Sequence, residues 1–180
     1  MRILVASLAT LALAACASVQ PGSPALTTAG QVESQTKFKE EMSGVVTAKG
    51  PTMTANGKTW LLSGTRSLDG AWSYKLELAS DVAGVKEATD STGATLHAVP
   101  MGRAGTSCRA YAKNCRVDEM VAVKLDANSI AAAKTSGLKV TLKGQDGSMS
   151  ASAPSHYVQG FINAVEAYDK SNPGKAIDLF

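Results

Sequence analysis

The chain is short of aromatic residues and of cysteines. Its 180 residues include 2 Trp, 4 Tyr and 3 Phe, and there are 3 Cys in all. Val, Leu and small residues must therefore supply most of any hydrophobic core. The length suits one domain, and a domain of this size can bury a core without the support of metals or disulfides.

The chain also lacks a large excess of positive or negative charge. The sequence has 18 Lys and Arg against 15 Asp and Glu, with no basic tract and no interleaving of aromatic and basic residues. Proteins that bind nucleic acid usually carry a concentrated basic surface. We therefore expect no nucleic-acid partner.

Catalytic motifs are missing as well. The sequence contains no G-x-S-x-G turn, no H-E-x-x-H pair and no Gly-rich loop of the kind that binds phosphates. A dispersed triad would leave no such motif, because a triad is defined by geometry and not by its order along the chain. The sequence thus lowers the expectation of an enzyme without removing it, and we assign no catalytic residue.

The first 15 residues, MRILVASLATLALAA, contain the three regions of an export signal in the usual order. Arg2 supplies a short positive region, residues 3–13 are almost wholly apolar, and Ala14 and Ala15 are the small residues that a signal peptidase needs. A helix that crosses a bilayer needs about 20 apolar residues. A retained transmembrane anchor is therefore the weaker interpretation.

The end of this segment, Leu13-Ala14-Ala15-Cys16, resembles the lipobox of bacterial lipoproteins. The resemblance implies that residues 1–15 are cleaved and that Cys16 carries a covalent lipid, including acyl chains such as palmitate. Two acyl chains are enough for stable attachment to a membrane. In this class an Asp after the cysteine favours the inner membrane, so Ala17 indicates the outer membrane. The alternative is a secretory peptide in which Cys16 falls near the cleavage site by chance.

Three cysteines are an odd number for an exported protein, where an unpaired thiol is reactive. If Cys16 carries lipid, Cys108 and Cys115 remain and can pair in an oxidising compartment. A zinc site would need further ligands, and the chain offers only His97 and His156. The spacing is too wide for the Cys-x-x-Cys motif of thioredoxin-like proteins. We expect a structural disulfide and no metal site, with a functional redox pair as the weaker alternative.

Basic residues lie in and beside the segment between these two cysteines. Held outward by a disulfide, they could bind an anionic envelope component such as a phospholipid headgroup or a lipopolysaccharide phosphate. The simpler interpretation is a solvated loop that Asp118 and Glu119 partly neutralise. The candidate ligand contacts are Arg103, Arg109, Lys113 and Arg116.

Residues 16–36 are rich in Ser, Thr, Gly, Pro and Gln and show no apolar period, which predicts a flexible, lipidated tether. After Phe38 the pattern changes to short alternating segments bounded by turn residues. Asn56-Gly57 is a strong hairpin signal, because both residues tolerate positive φ. The segments predicted as strands are 43–49, 58–64, 72–78, 94–101, 120–126 and 138–144, with 148–153 as a weaker edge strand.

Alternation is clearest in residues 72–78, where two aromatic residues and two leucines share one face and Lys75 and Glu77 lie on the other. A short helix is predicted after residue 126, with Asp126 or Asn128 as its cap and Gly137 as its end. The strongest helical stripe comes last and begins at Pro154. Its apolar members are Tyr157, Val158, Phe161, Ile162, Val165 and Tyr168.

These segments predict an α+β fold, in which an antiparallel sheet of about five to six strands carries a packed C-terminal amphipathic helix and one disulfide. We divide the chain into a cleaved signal (1–15), a lipidated tether (16–36), a single globular domain (37–170) and a C-terminal tail (171–180). Residues beyond the lipobox are not assigned to a family.

The favoured hypothesis is a non-enzymatic lipoprotein of the bacterial envelope, anchored by lipid to the outer membrane and facing the periplasm. Its partners would be the membrane itself and either another envelope protein or an anionic envelope component. Apart from the lipid on Cys16, we expect no cofactor. The alternative is a periplasmic hydrolase with a dispersed active site that includes His97.

Overall fold

The computed structural model describes residues 26–55, 58–107 and 116–173, and these residues form an α+β fold. The elements, in chain order, are α1 (Ala29–Gln35), β1 (Lys37–Glu40), β2 (Val46–Lys49), β3 (Met53–Ala55), β4 (Lys58–Arg66), β5 (Trp72–Ser80), β6 (Glu87–Asp90), β7 (Thr95–Leu96), β8 (Ala98–Ser107), β9 (Arg116–Leu125), α2 (Ala127–Ser136), β10 (Leu138–Gly144), β11 (Gly147–Ala153) and α3 (Ser155–Ser171).

The strands form two antiparallel sheets. The larger has seven strands in the order β1-β2-β4-β5-β9-β8, with β3 paired to β4, and the smaller has four in the order β11-β10-β6-β7. The predicted α+β class is therefore confirmed, but five to six strands were too few. The missed strands have two to four residues, which is too short for an alternating pattern to be recognised.

Local patterns placed several elements correctly. The side chain of Asp126 accepts a hydrogen bond from the backbone N–H of Ser129, and Gly137 ends α2 with a φ of 79°. Such a φ strains any residue with a side chain. Ala55 pairs with Lys58, which leaves two residues between β3 and β4 as the Asn56-Gly57 signal predicts. β11 lies at the edge of the smaller sheet.

One hydrophobic core joins both sheets to all three helices. It combines the inward side chains of β4, β5 and β9 with those of β10 and the apolar stripe of α3. Tyr157 and Phe161 are the largest side chains that are fully buried. Tyr157 packs edge-on against Trp60 at 4.8 Å between ring centroids, and Phe161 meets Tyr74 at 6.3 Å. The predicted C-terminal helix therefore covers the inner face of the larger sheet.

The predicted tether ends too late, because residues from Leu26 onward belong to the folded domain. Leu26 and Val32 are buried in the core, and α1 begins at a capping box formed by Thr28 and Gln31. α1 packs on α3 where Gly160 lets the two backbones approach closely. The sequence hides this helix because Val32 is its only buried apolar side chain, and one residue makes no period. The rest of the tether, with Cys16, lies outside the described residues.

Candidate anion-binding face

A row of lysines crosses the outer face of the larger sheet. Lys37 of β1 pairs with Lys49 of β2, which pairs with Ser63 of β4. Ser63 then pairs with Lys75 of β5, and Lys75 with Lys124 of β9. Since directly paired residues point to the same side of a sheet, one transverse row of five strands carries four lysines.

The alternation of each strand explains why these side chains point outward. Their neighbours on the same strands are core residues, among them Ala48, Leu62, Leu76 and Val123. Successive side chains of a strand point to opposite faces, so the lysines must lie on the face away from the core. Lys39 also lies on this face, because it is two residues from Lys37 on β1. We call Lys37, Lys39, Lys49, Lys75 and Lys124 the lysine face.

The lysine face places like charges directly opposite one another. Lys37 faces Lys49, and Lys75 faces Lys124, on strands about 4.8 Å apart. Opposed like charges on paired strands are unfavourable. An anion bound over the row would relieve this repulsion, so the arrangement is suited to anion binding.

Among the described residues of these strands, the carboxylate of Glu77 lies between the lysines. Its side chain accepts a hydrogen bond of 2.6 Å from the hydroxyl of Ser63 and lies 3.9 Å from the ammonium of Lys49. Glu77 is only 8% exposed, and Ser63 only 4%. The predicted face of Glu77 is confirmed, but its burial was not expected. Because it is satisfied by Ser63 and Lys49, Glu77 does not neutralise the remaining lysines.

His97 lies at the end of the row. Its backbone carbonyl accepts a hydrogen bond of 2.9 Å from the N–H of Lys124, and its side chain is exposed. Within the described part of the chain, the imidazole has no hydrogen-bonding partner, so no nucleophile or orienting carboxylate is assembled there. Nor do three His, Cys, Asp or Glu side chains of the described residues lie close enough together to hold a metal ion.

The side chain of His156 contacts the start of the folded domain. Its Nε2 lies 2.8 Å from the carbonyl oxygen of Leu26, and the ring is partly buried. The hydrogen bond joins the first turn of α3 to the segment that enters α1. His156 therefore helps to hold the beginning of the domain on α3.

Of the candidate contacts named from sequence, Arg103 is exposed on β8, where it pairs with Glu119 of β9. Glu119 lies five residues from Lys124 along β9, which corresponds to about 17 Å, so Arg103 is not part of the lysine face. Arg116 begins β9 and pairs with Ser107, while Arg109 and Lys113 lie outside the described residues. Cys108 and Cys115 also lie outside them.

Sequence reasoning missed the lysine face because the five lysines are far apart in the chain. A local signal did exist, since lysine occupies the polar position beside apolar residues in KFK, TAK, YKL and VKL. What places those positions in one row is the pairing register of five strands. Register depends on contacts that are distant in sequence, so no single segment reveals it.

None of the helices in the described residues has the length and apolarity needed to cross a bilayer. Comparison with known proteins finds no matching family model, no matching curated protein and no matching solved structure.

Proposed function

We propose that the protein is a lipid-anchored module of the bacterial envelope that binds a partner without catalysing a reaction. The observation that carries this proposal is the Leu13-Ala14-Ala15-Cys16 box at the end of a short apolar segment. The predicted lipid on Cys16 would hold the chain on the outer membrane, facing the periplasm. The outer sheet face supports a binding role, because it displays charges in one row across neighbouring strands.

The distance from the lipid to the fold also supports this role. Leu26 is already buried, so only about ten residues separate it from Cys16. A flexible linker of ten residues has a mean reach of roughly 17 Å. The anchored domain would therefore stay within about one domain diameter of the bilayer, where a partner must be a component of the envelope.

Labelling with palmitate tests the anchor directly. Cells that express the full chain should incorporate labelled palmitate into it, and Cys16→Ser should abolish the label because the thiol that forms the thioether is gone. Cys108→Ser is the matched control, since it removes a different thiol and should leave the label in place. Label that persists in Cys16→Ser would refute the lipoprotein assignment.

We also propose the disulfide between Cys108 and Cys115. In support, Ser107 of β8 pairs with Arg116 of β9, so the strands bring together the chain neighbours of both cysteines. Closing a loop of this size removes about 2.5 kcal/mol of unfolded-chain entropy. The bond would thus stabilise the end of the β8–β9 hairpin.

Intact mass measured before and after reduction tests this bond. The chain with the disulfide should gain the mass of two hydrogens on reduction, and the Cys108→Ser/Cys115→Ser variant should gain none. An unreduced chain that reacts at both cysteines with a thiol alkylating reagent would show that they are free. That result would reopen the metal and redox interpretations.

A further inference from the structure

We propose that the lysine face binds the anionic phospholipid surface of the membrane to which the protein is anchored. The inference rests on the proposed function for the anchor, but the binding itself depends only on the outer sheet face. It assigns a partner to five lysines that no sequence motif singled out. It also sets the orientation of the domain, with the larger sheet towards the bilayer.

The charge of the lysine face favours a ligand with several negative charges. Five lysines and one carboxylate lie on this part of the sheet, and Glu77 is held by Ser63 and Lys49. Among the described residues, Lys49 is the only one of the five lysines that lies within ion-pair distance of a carboxylate. The other charges are available to a ligand, and a ligand that spans several strands must itself carry several negative charges.

The shape of the lysine face favours a flat, extended ligand. The three helices contribute their apolar residues to the core, which lies on the opposite side of the sheet from the lysine face. The row from Lys37 to Lys124 crosses five neighbouring strands, so it extends about 19 Å. A broad face with separated cations fits a planar array of phosphates better than it fits one small anion in a pocket.

The lysine face begins close in sequence to the proposed lipid anchor. Only α1, with seven residues and a length of about 10 Å, and its C-cap Thr36 lie between its N-cap Thr28 and Lys37. The part of the predicted tether that precedes Leu26 has a mean reach of roughly 17 Å, so the lipid and the lysine face can contact the same bilayer. Linkage of this kind raises the effective concentration of the second contact to the millimolar range.

Each lysine is expected to raise the affinity for the anionic membrane moderately, and the five together are expected to raise it greatly. A lysine near an anionic leaflet strengthens binding by about fivefold, so the loss of three should weaken it by roughly 100-fold. The effect should fall with salt, because the screening length shortens from about 10 Å at 0.1 M to about 3 Å at 1 M. Neutral vesicles should bind little in either case.

The test uses the full chain carrying Cys16→Ser, so that the lipid cannot mask the contact. A second chain adds Lys37→Gln, Lys39→Gln and Lys124→Gln, which are exposed positions without an ion pair to described residues. The matched control instead adds Lys86→Gln, Lys139→Gln and Lys143→Gln, which removes the same charge from exposed positions of the other sheet and its approach. Each chain is sedimented with vesicles of equimolar phosphatidylglycerol and phosphatidylcholine, and with phosphatidylcholine alone.

The inference is supported if the Lys37, Lys39 and Lys124 triple variant loses roughly 100-fold in affinity for the anionic vesicles. The Lys86, Lys139 and Lys143 control should bind these vesicles more tightly than that variant. Equal losses in the two triples, or equal binding to neutral vesicles, would overturn it. Thermal unfolding of all three chains shows whether the substitutions left the fold intact.

A second measurement uses the natural chain on the same vesicles and follows acetylation of individual lysines by mass spectrometry. Lys37, Lys39 and Lys124 should be protected on anionic vesicles and reactive on neutral ones, while Lys139 and Lys143 stay reactive on both. Protection that requires an added envelope protein fraction would contradict a lipid partner. Failure of the palmitate test with success here would refute the anchor alone.

Discussion

Replacing Gly160 with Val is expected to lower the free energy of unfolding by about 4 kcal/mol. A Cβ at position 160 would lie 2.2 Å from the carbonyl oxygen of Ala29 and 2.7 Å from the Cβ of Val32. The first of these atoms is backbone, so α1 must move away from α3. Overpacking costs typically 1–3 kcal/mol, and moving α1 would also expose part of Val32 and Leu26, each worth about 1.5–3 kcal/mol when fully buried.

Gly30→Ala is the matched control, because it changes a glycine of α1 whose Cβ would have nothing within 4 Å. In a helix, Ala is favoured over Gly by about 1 kcal/mol, so this variant should be as stable as the natural chain or slightly more stable. Urea unfolding followed by the fluorescence of Trp60 and Trp72 measures both. Similar stability of Gly160→Val and Gly30→Ala would show that α1 is not packed as described.

The contact between α1 and α3 has a consequence for the proposed anchor. α1 lies between Leu26, where the folded domain begins, and β1, so a chain with α1 displaced would have a tether that runs to about residue 36. Gly160→Val should therefore destabilise the fold and also lengthen the tether between the lipid and the domain. The boundary at Leu26 matters because it determines how far the lysine face can stand from the bilayer.

Sequence patterns predicted the elements whose signals are local. The alternation in β5 placed Trp72, Tyr74, Leu76 and Leu78 on one face, and all of them are core residues or pack against it. The cap of α2 and the apolar stripe of α3 were also visible, because caps and periods need only a few neighbouring residues. The confirmed predictions are therefore those of elements whose signal lies within a few neighbouring residues.

The features that sequence reasoning missed depend on contacts between distant segments. α1 is stabilised by packing on α3 at Gly160, about 130 residues further along the chain. The lysine face depends on the register of β1, β2, β4, β5 and β9, and the burial of Glu77 depends on Ser63 of the neighbouring strand. The lysines form no basic tract along the sequence, because their row runs across the strands.

Replacing Tyr157 with Phe is expected to lower the free energy of unfolding by about 2 kcal/mol at neutral pH. The Tyr157 hydroxyl donates a hydrogen bond of 2.6 Å to the carbonyl oxygen of Pro51 and accepts one of 3.3 Å from the N–H of Leu62. Phe would leave the buried N–H of Leu62 and the partly buried carbonyl of Pro51 without their partner, which costs about 1–3 kcal/mol. Gly50 makes room for the hydroxyl, since a Cβ there would lie 2.6 Å from it.

The same residue should make the natural chain sensitive to alkali. Burial raises the pKa of Tyr157 well above its ordinary value of 10.0, against a smaller lowering by its hydrogen bond with Leu62. Below pH 10 the phenol keeps its proton in both states, so its contribution is complete. Above pH 10 the unfolded chain releases the proton while the folded chain retains it, and stability falls by about 1.4 kcal/mol per pH unit.

Tyr157→Phe should therefore lose less stability than the natural chain between neutral pH and pH 11. It will not be insensitive, because burial, with smaller contributions from Asp169 and Glu166, also raises the pKa of Tyr74. Tyr168→Phe is the control at neutral pH. Its ring stacks on Phe38 at 4.4 Å, and its hydroxyl has no hydrogen bond to a described residue, so we expect a change below about 0.5 kcal/mol. Parallel pH profiles for the natural chain and Tyr157→Phe would contradict the buried phenol.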